Sequence, residues 1–186
     1  MTRSPLAPSE FPALAPIEGV RLATAQTGMK YQGRDDLLLM MFDEGTSLAG
    51  VFTKSATASA PVIASREVAD KGQVRAILVN AGNANAFTGA LGISTVEACT
   101  NELSYLLDVP ATHIATASTG VIGEPLDPHL ITSHYERLKS AMGDASWQQA
   151  ADAIRTTDTF AKGASQSVTI KGVCYQITGI AKGSGM

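Results

Sequence analysis

Three glycine-rich segments of this chain each follow a short run of apolar residues in which β-branched side chains are frequent. They cover residues 76–89, 114–123 and 177–186. Apolar runs of this kind predict buried strands. A glycine loop at the end of a strand lets backbone N–H groups converge on a negatively charged oxygen. The pattern therefore predicts a sheet with polar, anion-binding loops at its strand ends.

The periodicity of the whole chain predicts an α/β fold. Strand patterns cover residues 20–26, 37–42, 47–53, 73–80 and 113–117. A hairpin is predicted over residues 166–171 and 173–181, with Lys171–Gly172 at its turn. Helices are predicted over residues 61–69, 94–107, 128–142 and 147–155. Because strands and helices alternate in the middle and antiparallel pairs occupy both ends, we expect mixed sheets with helices packed on them.

Two of the predicted helices begin with a capping box, in which a serine and the side chain three residues later bond each other's backbone. The pairs are Ser94 with Glu97 and Ser146 with Gln149. A third helix is expected to begin at Pro128, because proline favours the first helical position.

The composition excludes several classes of protein. With 17% charged residues, a net charge of −3 and no basic run, the chain lacks the charge pattern of a nucleic-acid binder. No apolar stretch is long enough for a membrane span. Residues 1–18 are proline-rich and predict an arm that lies on the surface or on a partner. Cys99 and Cys174 lack metal-ligand spacing and predict two buried thiols in a reducing cytoplasm.

Thr119 and Gly120 directly follow a predicted strand. The threonine hydroxyl and the glycine N–H can place two donors about 3 Å from an oxyanion as it forms. The alternative is an ordinary turn, in which the hydroxyl satisfies nearby backbone groups. The loop that contains Asn80, Asn83 and Asn85 has two similar interpretations, a polar binding loop or a tight strand-to-helix connection.

Two further segments carry candidate binding groups. Lys182 lies between glycines, and it is either the partner of a substrate carboxylate or a surface lysine. The hydroxyls of residues 155–160 either bind a polar substrate or satisfy the end of a helix. Asp158 is a candidate base, but no serine or histidine at suitable spacing completes a triad. The three histidines lack metal-ligand spacing, so no metal site is predicted.

Several motifs together resemble one known family. The segments VNAGNANAFTG, STGVIGEPL, TTDTF and GIAKGSGM, with GVFT before them, closely resemble the ornithine acetyltransferases, also called glutamate N-acetyltransferases, the arginine-biosynthesis J protein family. The resemblance runs from about Gly19 to Met186. It implies a two-chain α/β fold of the N-terminal-nucleophile type, made by a precursor that cleaves itself just before a threonine. Residues 19–186 are then expected to form the α-chain domain, which ends at or shortly before the cut and is completed by a separate β chain.

The resemblance also implies roles for four residues. Thr119 and Gly120 match the family's oxyanion-hole pair, and Thr156 and Lys182 match substrate-binding positions. The nucleophilic threonine is expected at the start of the β chain, outside this sequence. No metal or organic cofactor is implied.

The activity that the resemblance implies is ping-pong transfer of the acetyl group from N2-acetylornithine to glutamate, through an acetyl-threonine intermediate, in arginine biosynthesis. Bifunctional members also use acetyl-CoA as donor, and the implied assembly is a cytoplasmic heterotetramer of two α and two β chains. Two other functions stay open: a self-cleaving aminopeptidase of similar fold, which uses a serine nucleophile, and a non-catalytic module that binds small molecules.

Overall fold

A four-stranded mixed sheet forms the centre of the molecule, whose computed structural model describes residues 3–184. Its strands are β1 (Val20–Ala25), β2 (Leu37–Phe42), β3 (Ala76–Asn83) and β4 (Ile114–Val121), in that spatial order. The β1–β2 and β2–β3 pairs are antiparallel, whereas β3 and β4 run parallel. The predicted α/β class with mixed sheets is confirmed.

A separate antiparallel pair, β5 (Lys162–Ile170) and β6 (Val173–Ala181), is the hairpin that the sequence predicts. Its turn residues Lys171 and Gly172 have φ angles of 50° and 81°. Two consecutive positive φ angles are what the I′ turn of a two-residue hairpin requires.

The helices are α1 (Ala60–Lys71), α2 (Gly89–Leu107), α3 (His129–Thr132), α4 (Tyr135–Ser140) and α5 (Trp147–Ala153). A short 3₁₀ turn covers Ala111–His113. The capping box of α5 is confirmed, since the Gln149 N–H donates to Ser146 Oγ at 3.2 Å and the Ser146 N–H donates to Gln149 Oε1 at 2.9 Å. Pro61 lies in the first turn of α1, as predicted.

The predicted start of α2 at Ser94 is wrong. The helix begins at Gly89, five residues earlier, and the Ser94 hydroxyl donates to the Leu91 carbonyl at 3.0 Å inside it. The reason is local, because Thr88 Oγ1 donates to Asn85 Oδ1 at 2.8 Å and fixes the loop directly before Gly89.

Two other predicted elements are also wrong. The single helix over residues 128–142 is two short helices, because ψ lies near zero at Ser133 and His134 and tightens the backbone into turns. Residues 47–53 form no strand beyond one isolated bridge between Ser47 and Gln73. Val51 in that segment is fully exposed, so its alternating pattern has no surface to pack against.

Helices and the hairpin cover both faces of the main sheet. Successive strand residues point to opposite faces. Leu37 and Leu39 accordingly pack in the cluster with Leu103 of α2, whereas Leu38 packs with Ala150 of α5. Ile180 of β6 joins the second cluster, which holds the hairpin against the sheet.

The two cysteines differ in their surroundings. Cys99 is buried, as predicted, and burial raises the pKa of its thiol to about 11. Cys174 is exposed, so the prediction of a second buried thiol is wrong. Its strand belongs to a two-stranded sheet. Within residues 3–184 neither a helix nor a further strand covers the apolar residues near its turn, including Ile170, Val173 and Tyr175.

Proline-rich residues before β1 contact the hairpin. Ala15 accepts a hydrogen bond from Thr178 Oγ1 at 3.0 Å, and its N–H donates to Ser165 Oγ at 3.3 Å. The Ser4 N–H donates to Thr159 Oγ1 at 3.2 Å. The arm predicted at the N-terminus therefore lies along the hairpin in the residues that the structure describes.

Candidate active site

Two of the glycine loops meet where β3 and β4 end side by side. In the parallel register Ala81 is opposite Thr119 and Gly82 is opposite Gly120. Gly120 has a φ of 137°, and a Cβ on it would lie 2.6 Å from the Asn83 nitrogen and overlap the Gly82 carbonyl. Real Cβ atoms do not come that close, so this approach of the two strands requires glycine.

Thr119 and Gly120 lie within β4, which rules out the ordinary turn considered for them. Both residues are partly exposed at the end of the strand. Among residues 3–184 the Thr119 hydroxyl has no hydrogen-bond partner, so it can donate to a group that binds there.

The asparagine loop is a strand-to-helix connection rather than a row of open amides. Asn80, Asn83 and Asn85 are all buried. Their amide groups donate to the carbonyls of Asn83, Glu124 and Gly92 at 2.9, 3.0 and 2.9 Å. The Asn83 bond ties the end of β3 to the residues after β4, and the Asn80 bond braces the Asn83 backbone beside Gly120.

Away from the β3–β4 strand ends, a polar cluster surrounds the buried side chain of Asp158. Lys162 Nζ donates to Asp158 Oδ1 at 2.8 Å, and the Gly183 N–H donates to the same oxygen at 2.6 Å. Lys182 Nζ lies 3.8 Å from Oδ2, and the Thr156 N–H donates to that oxygen at 3.5 Å. Two sequence-predicted site residues, Thr156 and Lys182, are thereby brought together around one carboxylate.

The environment of Asp158 keeps it ionised. Burial raises the pKa of the carboxyl, but hydrogen bonds from Lys162 and from the N–H groups of Gly183 and Thr156 lower it more. The result is a pKa of about 2, against an ordinary value of 3.8. A carboxylate with so low a pKa is a poor proton acceptor near neutral pH. The hydrogen bonds to both oxygens and the low pKa therefore favour a fixed anion over a base for Asp158.

The loop between β1 and β2 contacts both the ends of β3 and β4 at Gly120 and the cluster around Asp158. Lys30 lies against Gly82 at the end of β3, and the Ala81 N–H donates to the Asp36 carbonyl at 2.8 Å. On the other side, Arg34 Nη2 donates to the carbonyl of Arg155, directly before Thr156. The guanidinium of Arg34 also stacks on the Tyr31 ring, 4.0 Å from its centroid. One loop thus supports both the strand ends at Gly120 and the Asp158 cluster.

Sequence reasoning missed Arg34 and Lys162. Lys162 stands four residues after Asp158, which is a visible ion-pair spacing, although these residues do not lie on a helix. Nothing local to Arg34 indicates its partner, because Arg155 lies 121 positions further along the chain.

Two structural classes are absent from the described part of the chain. No cluster of three or more histidine, cysteine or acidic side chains has the arrangement of a metal site within residues 3–184. No helix there has the length and apolar character needed to cross a bilayer.

The sequence and the fold of this chain match one family of proteins. The ArgJ family matches residues 21–186. Proteins named "arginine biosynthesis bifunctional protein ArgJ" from Ruegeria pomeroyi and Gluconobacter oxydans align with 98% of this chain. Over that alignment they are 51% and 49% identical to it. The chain belongs to the ArgJ family.

The chain spans about half the length of the curated relatives it matches, 45% and 43% for these two. Two solved structures are also similar. An ArgJ protein from Bacillus halodurans superimposes with a TM-score of 0.84 at 32% identity, over 91% of this chain and 88% of that one. Ornithine acetyltransferase from Mycobacterium tuberculosis, solved with ornithine, superimposes with a TM-score of 0.79 at 30% identity, over 91% of this chain and 90% of that one. These likenesses confirm the fold class predicted from the sequence.

Proposed function

We propose that this chain is the α chain of an acetyltransferase that moves the acetyl group of N2-acetylornithine to glutamate in arginine biosynthesis. Membership of the ArgJ family and the names of the relatives support this function. The observation that carries the proposal is the convergence of Thr156 and Lys182 on one buried carboxylate, since the family resemblance assigns both residues to the substrate.

The proposed chemistry needs a nucleophile from a second chain. A threonine at a chain N-terminus carries its own general base, an α-amine with a pKa of about 7.7–8.0 in reference peptides. Its oxygen attacks the acetyl carbonyl, and the amine takes the hydroxyl proton. The bond to ornithine breaks as ornithine accepts a proton. The α-amine of glutamate then attacks the acetyl-threonine ester. The ester C–O bond breaks, and the proton that the glutamate amine loses returns to the threonine oxygen.

Thr119 and Gly120 are the proposed donors to the tetrahedral oxyanion in both halves of the reaction. Their place at the end of β4 and the free hydroxyl of Thr119 suit that role. Two donors that are already oriented need no reorganisation as the negative charge forms. Lys182 is proposed to pair with the α-carboxylate that acetylornithine and glutamate share, and Thr156 with a polar group of the same substrates.

Two observations support a separate β chain. The solved chains from Bacillus halodurans and Mycobacterium tuberculosis are covered to 88% and 90%, so each is similar in length to this chain, whereas the curated relatives are about twice as long. The hairpin also exposes apolar side chains on one face, with Val173 at 53% and Ile177 at 59%. Exposed apolar patches of this kind are typical of interfaces.

The finer features of the proposal follow the family. We propose an assembly of two α and two β chains in the cytoplasm, with no cofactor required by the transfer chemistry. The word "bifunctional" in the relatives' names favours acetyl-CoA as a second donor that acetylates the same threonine.

The test is to produce this chain together with the downstream chain and to incubate the complex with N2-acetylornithine alone. The proposal expects the β chain to begin with threonine, to gain the mass of one acetyl group, and to release one equivalent of ornithine. Glutamate added afterwards should discharge the acetyl group as N-acetylglutamate. A β chain that begins with serine and hydrolyses peptides would instead identify an aminopeptidase, and a complex that binds ornithine without acetylation would identify a binding module.

A further inference from the structure

We propose that Asp158 is a positioning residue that accepts from the Gly183 N–H and thereby holds the preceding residue, Lys182, in place for the carboxylate of the substrate. This role rests on the proposed function, because it takes Lys182 as the group that pairs with that carboxylate. The inference goes further by naming what keeps Lys182 in position, namely a fixed anion on a different segment of the chain.

The contacts of Asp158 join segments that are separated in the sequence. Its Oδ1 atom accepts from the Gly183 N–H at 2.6 Å, and its Oδ2 atom faces Lys182 Nζ at 3.8 Å. Lys182 and Gly183, the two residues directly after β6, therefore both face one buried carboxylate, and the Gly183 N–H is bonded to it. The same carboxylate accepts from the Thr156 N–H at 3.5 Å, so it also sets the distance between the two proposed substrate-binding residues.

The charges of the cluster suit an anionic ligand. One carboxylate faces two ammonium groups, and Lys162 at 2.8 Å is the closer partner. Lys182 at 3.8 Å lies beyond ordinary hydrogen-bond distance, so its three N–H donors are not used by Asp158. Its side chain is 25% exposed. Asp158, Lys162 and Lys182 together thus carry one excess positive charge, which matches one substrate carboxylate.

Two properties make Asp158 suited to hold rather than to react. Its side chain is fully buried, so no solvent competes for its oxygens. Its pKa of about 2 keeps the charge present near neutral pH. A buried anion held by these hydrogen bonds gives Lys182 a fixed partner.

The test compares ornithine binding by calorimetry in the complete two-chain protein, with acetyl transfer measured on the same preparations. The variants are Asp158→Asn, Asp158→Glu, Lys182→Met, Asp158→Asn with Lys182→Met, and Asp158→Asn with Lys162→Met. Asp158→Asn removes the anion and makes the cluster more positive. Electrostatics alone would then tighten binding, whereas loss of positioning would weaken it. Adding Lys162→Met restores the net charge without restoring the position.

We expect Asp158→Asn to raise the Kd for ornithine about 10-fold, with no rescue by Lys162→Met. In the Lys182→Met background the same change should have a clearly smaller effect, because Asp158 acts mainly through Lys182. Tighter or unchanged binding in Asp158→Asn, rescue by Lys162→Met, or full additivity with Lys182→Met would each overturn the role. A lowered melting temperature with an unchanged Kd would overturn it too, since that is the mark of a purely structural residue.

Asp158→Glu decides the question if Asp158→Asn does not fold. It keeps the charge and displaces the carboxylate by one methylene. If Asp158 acts by positioning, ornithine should bind more weakly, whereas a role of the charge alone predicts unchanged binding. Wild-type protein that binds ornithine but transfers no acetyl group would refute the proposed reaction while the binding comparison still judges Asp158. Wild-type protein that does not bind ornithine would refute the substrate and the role of Asp158 together.

Discussion

Gly120 of β4 approaches Gly82 of β3 so closely that a single added carbon would overlap the Gly82 carbonyl. The proposed oxyanion donors lie on this contact, since Thr119 and Gly120 are held by the β3 backbone. The position of the two donors is therefore fixed by this backbone contact, together with the asparagine hydrogen bonds beside it.

Gly120→Ala is expected to destabilise the protein by about 2–3 kcal/mol or more, because it combines a strained positive φ with backbone overlap. The measurement is the free energy of unfolding from urea titration of the complete protein. Gly179→Ala is the matched control, since Gly179 also lies in a strand but has open space around its Cβ position. Equal stability of the two variants would contradict the close contact.

Thr119→Ala is expected to lower kcat by roughly 10²–10³-fold with little change in stability, the usual effect of losing one oxyanion donor. Self-cleavage of the precursor should slow as well, because peptide cleavage also passes through a tetrahedral intermediate. Thr112→Ala in the exposed 3₁₀ turn serves as control. A kcat within about threefold of wild type would refute the assignment of Thr119.

Local signals in the sequence predict much of this fold. The β3–α2–β4 unit follows from two apolar runs and one amphipathic stretch, and the hairpin follows from alternation around Lys171–Gly172. Residues 47–53 show where such signals fail. Their alternation resembles a strand, but strands need a neighbour, and Val51 has none in the described structure.

The candidate site divides in the same way. Sequence motifs indicate the four site residues. The contacts that hold those residues in place depend on how distant segments of the chain meet. Asp158 is 25 residues from Gly183, and only the folded chain shows that its carboxylate binds that N–H rather than acting as a base. Arg34 donates to the Arg155 carbonyl, 121 positions away in the sequence, and hydrophobic periodicity cannot indicate such a contact.

Lys182→Met keeps most of the side chain's length and removes its charge. We expect the KM for N2-acetylornithine and for glutamate to rise by the equivalent of about 1.5–3 kcal/mol, because both substrates lose a charged hydrogen bond. Lys171→Met at the exposed hairpin turn is the control for removing a positive charge. If both KM values stay at the wild-type level, Lys182 does not bind the shared carboxylate.

The depressed pKa of Asp158 also predicts how stability depends on pH. A carboxyl whose pKa falls from 3.8 in the unfolded chain to about 2 in the folded protein stabilises the fold above pH 4. The contribution is about 2 kcal/mol, and it disappears as the pH falls from about 4 to about 2. Asp158→Asn lacks this titration, so the gap in unfolding free energy between wild type and variant should narrow over that interval. Urea titrations at pH 6 and at about pH 3 measure the gap. A gap that is the same at both values would show that the Asp158 carboxylate does not have the hydrogen bonds from Lys162 and Gly183 that lower its pKa.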